Sequence, residues 1–199
     1  MTEIKGLTGL SNLGNTCFLN SCMQVLSNTP ELNEIFTNKR EKLENDNENN
    51  ESDKLITKEW IELKDLMWSR NCTISPGRFI KIVQHIAREK DRELFTGFAQ
   101  NDLPEFMLFI MECFNSALKT SVKVNISGTK RNNTDELAVK CYEMVKDVYE
   151  KEYSPILDLF YGISVSMLTG TDDKIRSSKP ELFMALDLEM PDKKNLTLS

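Results

Sequence analysis

The segment Asn12-Leu13-Gly14-Asn15-Thr16-Cys17 places a thiol where a helix should begin. Gly and Asn before Cys17 are loop formers. After it, Phe18, Cys22, Val25 and Leu26 recur at three- and four-residue steps until Asn28-Thr29-Pro30 ends the pattern. A thiol in a first helical turn stands among unpaired backbone N–H groups at the positive end of the helix, which favours thiolate. The same N–H groups can bind an oxyanion. Asn12, five residues earlier, is a neutral donor that could reach the same place. On residue types alone, nucleophilic catalysis competes here with an inert helix-start cysteine. Cys22, Cys72, Cys113 and Cys141 lie on apolar stripes or in a loop and read as small hydrophobes. The single histidine, His85, falls opposite the apolar face of its helix and reads as a surface residue. One His and no CxxC pair give no recognisable zinc site, so no metal or cofactor is expected.

The elements that must hold these residues follow from periodicity. Asn15 or Thr16 can cap the first helix. Leu32, Ile35 and Phe36 form a short second apolar group. Residues 38–54, almost wholly Asn and charge, read as a flexible solvated insertion. A stripe at Ile56, Trp60, Leu63 and Met67 predicts a helix over 55–69, with Trp60 and Trp68 as packing residues. Ser75-Pro76-Gly77 starts another, with Pro76 in its first turn and Phe79, Ile80, Val83, Ile86 and Ala87 on one face. Asp102 reads as an N-cap, with Pro104 in the first turn and Glu105 completing a capping box. Leu103, Phe106, Met107, Ile110, Cys113, Phe114 and Ala117 form the apolar stripe of the buried helix that follows. Residues 121–134 read as a polar loop or short strand. Thr134 then caps a helix with Leu137, Cys141, Val145, Val148 and Tyr149 facing inward. After Ser154-Pro155 the period becomes that of strands: Ile163, Val165 and Met167, a turn at 170–173, then Leu186, Leu188 and Met190 before Pro191. The class is therefore α+β, a helical block followed by the first strands of a sheet.

The chain has 199 residues, 25 Lys+Arg, 31 Asp+Glu and a net charge of -6, with 40% hydrophobic residues. This composition fits one globular domain or most of one, and excludes a disordered chain, a collagen repeat and a coiled-coil rod. The acidic balance argues against nucleic-acid binding. The absence of an apolar leader or a membrane-length apolar run predicts an intracellular protein without membrane attachment. Five scattered cysteines make a poor disulfide framework.

Three stretches carry a family resemblance. Gly9-Leu10-Ser11-Asn12-Leu13-Gly14-Asn15-Thr16-Cys17-Phe18-Leu19-Asn20-Ser21, continuing through Met23-Gln24-Val25-Leu26 to Pro30-Glu31-Leu32, resembles the cysteine box of the ubiquitin-specific proteases. Phe95-Thr96-Gly97-Phe98-Ala99-Gln100-Asn101-Asp102-Leu103-Pro104-Glu105-Phe106 is similar to the family's glutamine box. Phe160-Tyr161-Gly162, Pro180-Glu181-Leu182-Phe183 and Leu186 to Pro191 more weakly resemble the opening strands of its fingers region.

The resemblance implies a papain-like α+β thiol protease fold that hydrolyses the (iso)peptide bond after ubiquitin's C-terminal glycine. Residues 1–155 would form the helical thumb, with an insertion near 38–54, and residues 156–199 the start of the fingers. Cys17 would be the nucleophile and Asn12 a donor of the oxyanion hole. Gln100 and Asp102 would hold the ubiquitin tail, Asp102 by pairing with its arginines. The implied partners are ubiquitin and ubiquitylated proteins. In this family the catalytic His lies in a box far downstream, and no such segment occurs in these 199 residues. The expectation is part of a catalytic domain, inactive or nearly so alone. The alternative is a non-catalytic ubiquitin-binding pseudoenzyme or decoy.

Overall fold

The computed structural model describes residues 5–45, 50–97, 99–172 and 175–188. In chain order the described elements are β1 (Gly9–Leu10), α1 (Cys17–Ser27), α2 (Pro30–Asn45), α3 (Glu51–Ser69), β2 (Thr73–Ile74) and α4 (Gly77–Glu89). A 3-10 turn at Glu93–Phe95 leads to α5 (Leu103–Leu118), α6 (Asn133–Glu152), α7 (Pro155–Phe160), β3 (Gly162–Thr169) and β4 (Ile175–Phe183). The contacts divide them into two units. The first holds the described residues up to 124 together with 148–159; the second holds 125–147 and those from 160 on.

The core of the first unit is aromatic. Trp60 of α3 is fully buried, with Phe79 of α4 and Phe114 of α5 at ring-centroid distances of 6.3 and 6.2 Å. Phe36 of α2 meets Phe114 edge-on at 5.0 Å. Rings in such tilted and edge-on contact add to the large area they bury. All five residues of the expected apolar face of α4 are buried. In α1 the buried set is Leu19, Cys22, Met23 and Leu26 with Ser27, whereas Val25, assigned to the stripe by its spacing, is 61% exposed. Ion pairs fix α3 against α4 at both ends and make them antiparallel. Arg78 reaches Glu59 at 2.5 Å and Glu62 at 2.8 Å, and Lys90 Nζ stands 2.8 Å from the buried Asp53.

The solvated insertion expected at 38–54 is not what forms. Residues 38–45 complete α2, with Leu43 buried, and residues 51–54 open α3, with Asp53 and Lys54 buried. Residues 46–49 lie outside the described residues. Lys, Arg and Glu are good helix formers despite their polarity, and Arg40 of this run pairs with Asp65 of α3 at 2.8 Å. Asn50 Oδ1 caps α3 by accepting from Ser52 N–H at 2.9 Å. Pro76 occupies the N-cap of α4 rather than its first turn.

Strands do not begin directly after Pro155, because α7 comes first, with Ile156 and Leu157 buried. In the second unit β3 and β4 form an antiparallel hairpin with Gly162 opposite Phe183 and Thr169 opposite Ile175. A Cβ at Gly162 would lie 2.9 Å from the Phe183 ring, which would have to shift to admit any larger residue. The second strand was expected at 186–190. It instead runs over Ile175–Phe183; residues 184–188 form no strand, and 189–190 lie outside the described residues. The pattern Arg176-Ser177-Ser178-Lys179-Pro180 hides a strand because it is polar and contains proline. A two-stranded ladder leaves one edge of each strand unpaired, where proline's missing N–H is tolerated. Helix α6 has no buried residue, so its expected inward stripe is at best half-buried. Its first turn is capped by Asn132, whose Oδ1 accepts from Asp135 N–H at 2.9 Å, not by Thr134.

Candidate active site

The turn before Cys17 is built around one amide. Asn12 Oδ1 accepts from Gly14 N–H at 3.1 Å, Thr16 N–H at 3.1 Å and the Thr16 hydroxyl at 3.0 Å. Two backbone donors identify this end of the amide as oxygen. The Nδ2 group is left with no hydrogen-bond acceptor among the described residues, and Asn12 is exposed. The turn needs left-handed backbone at Gly14 (φ 102) and Asn15 (φ 51), conformations that Gly and Asn tolerate. Thr16, at the N-cap, does not cap the helix with its side chain. Its hydroxyl oxygen accepts from Leu13 N–H at 3.1 Å instead. The first N–H of the region to meet a backbone carbonyl in helical register is that of Asn20, bonded to Thr16 at 2.9 Å. Cys17 therefore opens α1 as an exposed thiol at a helix end that the N-cap residue's side chain does not cap.

Two further amides hold α1 to the strand that precedes the turn. Asn20 Nδ2 donates to the carbonyls of Leu10 at 3.3 Å and Ser11 at 3.1 Å, and Gln24 Nε2 to that of Thr8 at 2.7 Å. That strand is itself paired in parallel with β2, Gly9 opposite Thr73 and Leu10 opposite Ile74. The turn is thus fixed on both sides.

The segment that leads to Gln100 and Asp102 meets the turn before Cys17 through Phe95, Gly97 and Ala99. Phe18, next to Cys17, stacks edge-on against Phe106 of α5 at 5.2 Å and lies 6.4 Å from Phe95. Gly14, Thr16 and Phe18 then line one cleft with Gln84, Gly97 and Ala99. Gln84 Nε2 donates to the Gly97 carbonyl at 3.1 Å and Arg88 to that of Thr96 at 3.0 Å. Asn101 Nδ2 donates to Leu94 at 2.8 Å and Ala99 at 3.1 Å. Phe98 lies outside the described residues.

Asp102 occupies the N-cap of α5, and its carbonyl accepts from Phe106 N–H at 3.2 Å. Its carboxylate makes no capping hydrogen bond, so the expected capping box with Glu105 does not form. With Pro104 in the first turn, one of the N–H groups a cap would satisfy is absent. The Asp102 carboxylate and the Gln100 side chain are both exposed. His85 is exposed on α4, with Nε2 3.3 Å from Glu89 Oε1, and does not line the cleft.

Two of the remaining cysteines differ sharply from Cys17. All five are free thiols, and Cys22 and Cys113 are buried. Burial pushes the Cys22 thiol up to about 12. Burial first, then the adjoining Asp53 carboxylate, raises Cys113 further. Both are held as neutral thiols. Among the described residues no three His, Cys, Asp or Glu side chains gather in a way that could hold a metal ion. No helix of the described residues is long and apolar enough to cross a membrane.

The family model described as "Ubiquitin carboxyl-terminal hydrolase" matches residues 8–174. The chain belongs to the ubiquitin carboxyl-terminal hydrolase family. Human ubiquitin carboxyl-terminal hydrolase 15 is 34% identical over 98% of this chain, and bovine ubiquitin carboxyl-terminal hydrolase 2 is 34% identical over 84%. The chain spans about one fifth of the human relative's length and 27% of the bovine one's. A chain of the SAGA DUB module bound to monoubiquitin superposes with TM-score 0.62 at 19% identity, covering 96% of this chain and 37% of that one. The likeness extends to the fold, the α+β papain-like fold of this hydrolase family.

Within that fold, periodicity located the helices that carry Cys17 and Asp102 but not the amides that tie them down. Gln84 is the informative miss. It is a polar residue embedded in the apolar face Phe79 to Ala87, 9% exposed, and its position there was the available signal.

Proposed function

We propose that these residues form the nucleophile-bearing part of a deubiquitinase, a thiol protease acting after the C-terminal glycine of ubiquitin. The observation that carries the reading is the Asn12 amide. Three donors hold its oxygen, which leaves its NH2 group without an acceptor among the described residues, in the turn that leads to an exposed thiol at the start of α1. A donor fixed in this way suits a negative charge that develops on a carbonyl oxygen. In the reaction, Cys17 sulfur attacks the carbonyl carbon after the last glycine of ubiquitin. The C–N bond breaks, the amine leaves with a proton, and water hydrolyses the thioester. No metal or cofactor is needed.

Gln100 and Asp102 serve as the tail-binding pair. The absence of a capping bond supports this for Asp102, because its carboxylate stays available to an arginine of the substrate. An imidazole must take the thiol proton and return it to the amine. His85, turned to solvent and adjoining Glu89, is unsuited to that task. The 199 residues alone are therefore expected to turn over about 10^3–10^6-fold more slowly than a complete triad. We assign the protein to a reducing intracellular compartment, nuclear or cytoplasmic, which suits five free thiols.

A second reading, a ubiquitin binder without catalysis, is favoured by the placement of His85. Cleavage of a fluorogenic ubiquitin amide by the chain would remove it. The main reading is tested by titrating 15N-labelled ubiquitin with the chain. Shifts centred on ubiquitin's C-terminal tail support it, and an unperturbed spectrum at millimolar chain contradicts it.

A further inference from the structure

We infer that Gln84 and Arg88 are positioning residues that hold the tail-binding segment in register and so set the affinity for the C-terminal tail of ubiquitin; this rests on the function proposed above. The two lie one turn apart on α4, hence on one side of it. They donate to successive carbonyls, Gln84 to Gly97 at 3.1 Å and Arg88 to Thr96 at 3.0 Å. Between Phe95 and Leu103 the described chain has no regular structure beyond the turn bond from Thr96 N–H to Glu93. Its carbonyls depend on side chains, and two of those side chains come from α4.

The geometry also links the two halves of the site. Gln84 lines the cleft whose other wall is Gly14, Thr16 and Phe18. A buried amide there fixes Gly97 relative to the turn before Cys17, and Gln100 and Asp102 follow within five residues. α4 is itself held in place. At its C-terminal end Lys90 pairs with buried Asp53 at 2.8 Å, and Glu89 accepts from the Ser52 hydroxyl. The segment therefore rests on a helix that cannot readily shift; Asn101 ties the segment to itself, and the two donors of α4 tie it to that helix. A binding group held in one geometry before the substrate arrives costs less to order on binding.

The test compares Gln84→Leu, Arg88→Met and Arg88→Lys in the same ubiquitin titration, with hydrogen exchange measured over residues 94–102. Gln84→Leu keeps the volume and removes the donor; Arg88→Lys keeps a donor. Gln84→Leu and Arg88→Met should each weaken ubiquitin binding about tenfold, the scale of one lost hydrogen bond. Exchange should accelerate across 94–102 but not in α5, the melting temperature should change little, and Arg88→Lys should restore most of the affinity. The inference is overturned if the parent chain binds ubiquitin and both donor-free variants bind equally well. It is also overturned if Arg88→Lys is no better than Arg88→Met. If the parent chain itself does not bind, the proposed function fails and this inference fails with it, an outcome distinct from the other two.

Discussion

Asn12 and Thr16 are bonded to each other twice across the turn before Cys17: the Asn12 side-chain oxygen accepts both the N–H of Thr16 at 3.1 Å and its hydroxyl at 3.0 Å. The turn is built by the oxygen end of an amide whose NH2 end has no acceptor among the described residues. These two roles can be separated, because a carboxylate accepts the same three bonds but donates none.

Asn12→Asp should therefore fold with nearly the parent melting temperature and lose the oxyanion donor. In a catalytically complete protein its turnover should fall about 10^2–10^3-fold. Asn12→Ala should lose both, with a clear drop in thermal stability. Calorimetry beside single-turnover kinetics distinguishes them. Equal stability losses in the two variants would contradict the division of roles.

Asp102→Asn should leave stability unchanged, because the carboxylate makes no capping bond. Ubiquitin affinity should fall about 10–100-fold, the scale of a charge-assisted hydrogen bond, and become less dependent on salt. Isothermal titration at two ionic strengths reads both effects. A destabilised variant would return Asp102 to the capping role its sequence context suggests.

Phe106 is fully buried and touches both Phe18 and Phe95, so it joins the Cys17 helix to the segment that leads to Asp102. Phe106→Ala should destabilise the first unit by about 3–5 kcal/mol. It should weaken ubiquitin binding more than Phe36→Ala, an equally buried change away from the cleft. Urea unfolding midpoints and binding isotherms measure the two effects.

The buried thiols give a pH prediction. Cys22 is raised from an ordinary 9.0 to about 12, so the folded chain keeps a proton there that the unfolded chain has released. This contribution to stability is complete below pH 9 and is lost as pH rises from about 9 toward 12. Cys113, raised further by burial and Asp53, acts in the same direction. Melting temperature should decline through that window, and Cys22→Ala should flatten part of the decline. Native-state alkylation at pH 8 should spare Cys22 and Cys113 until denaturant is added.

The sequence disclosed most where periodic apolar residues meet a buried face. The stripe Phe79 to Ala87 is buried as spaced, and Asp102 sits at the N-cap where its neighbours Leu103 and Pro104 place it. It disclosed least where position outweighs polarity. Arg40 and Leu43 lie in a run that reads as solvated loop, yet they complete a helix through an ion pair to Asp65 and a buried leucine. Pro180 hid β4 from the periodicity, although the resemblance places Pro180 to Phe183 among the opening strands; proline is compatible with a strand only at a free edge, and edges are set by topology, not by local sequence. Gln84 escaped notice for a related reason. Its partner is a backbone carbonyl thirteen residues away, and no residue type there announces it.

The most direct test exposes the chain to ubiquitin bearing a C-terminal electrophile and maps the adduct by mass spectrometry, alone and with the downstream part of a family catalytic domain supplied. A single adduct on Cys17, absent from Cys17→Ser and not formed with the small alkylator iodoacetamide in place of ubiquitin at the same rate, is the predicted result. An adduct that survives Cys17→Ser, or one formed equally at Cys72 or Cys141, would contradict the assignment of Cys17 as the nucleophile.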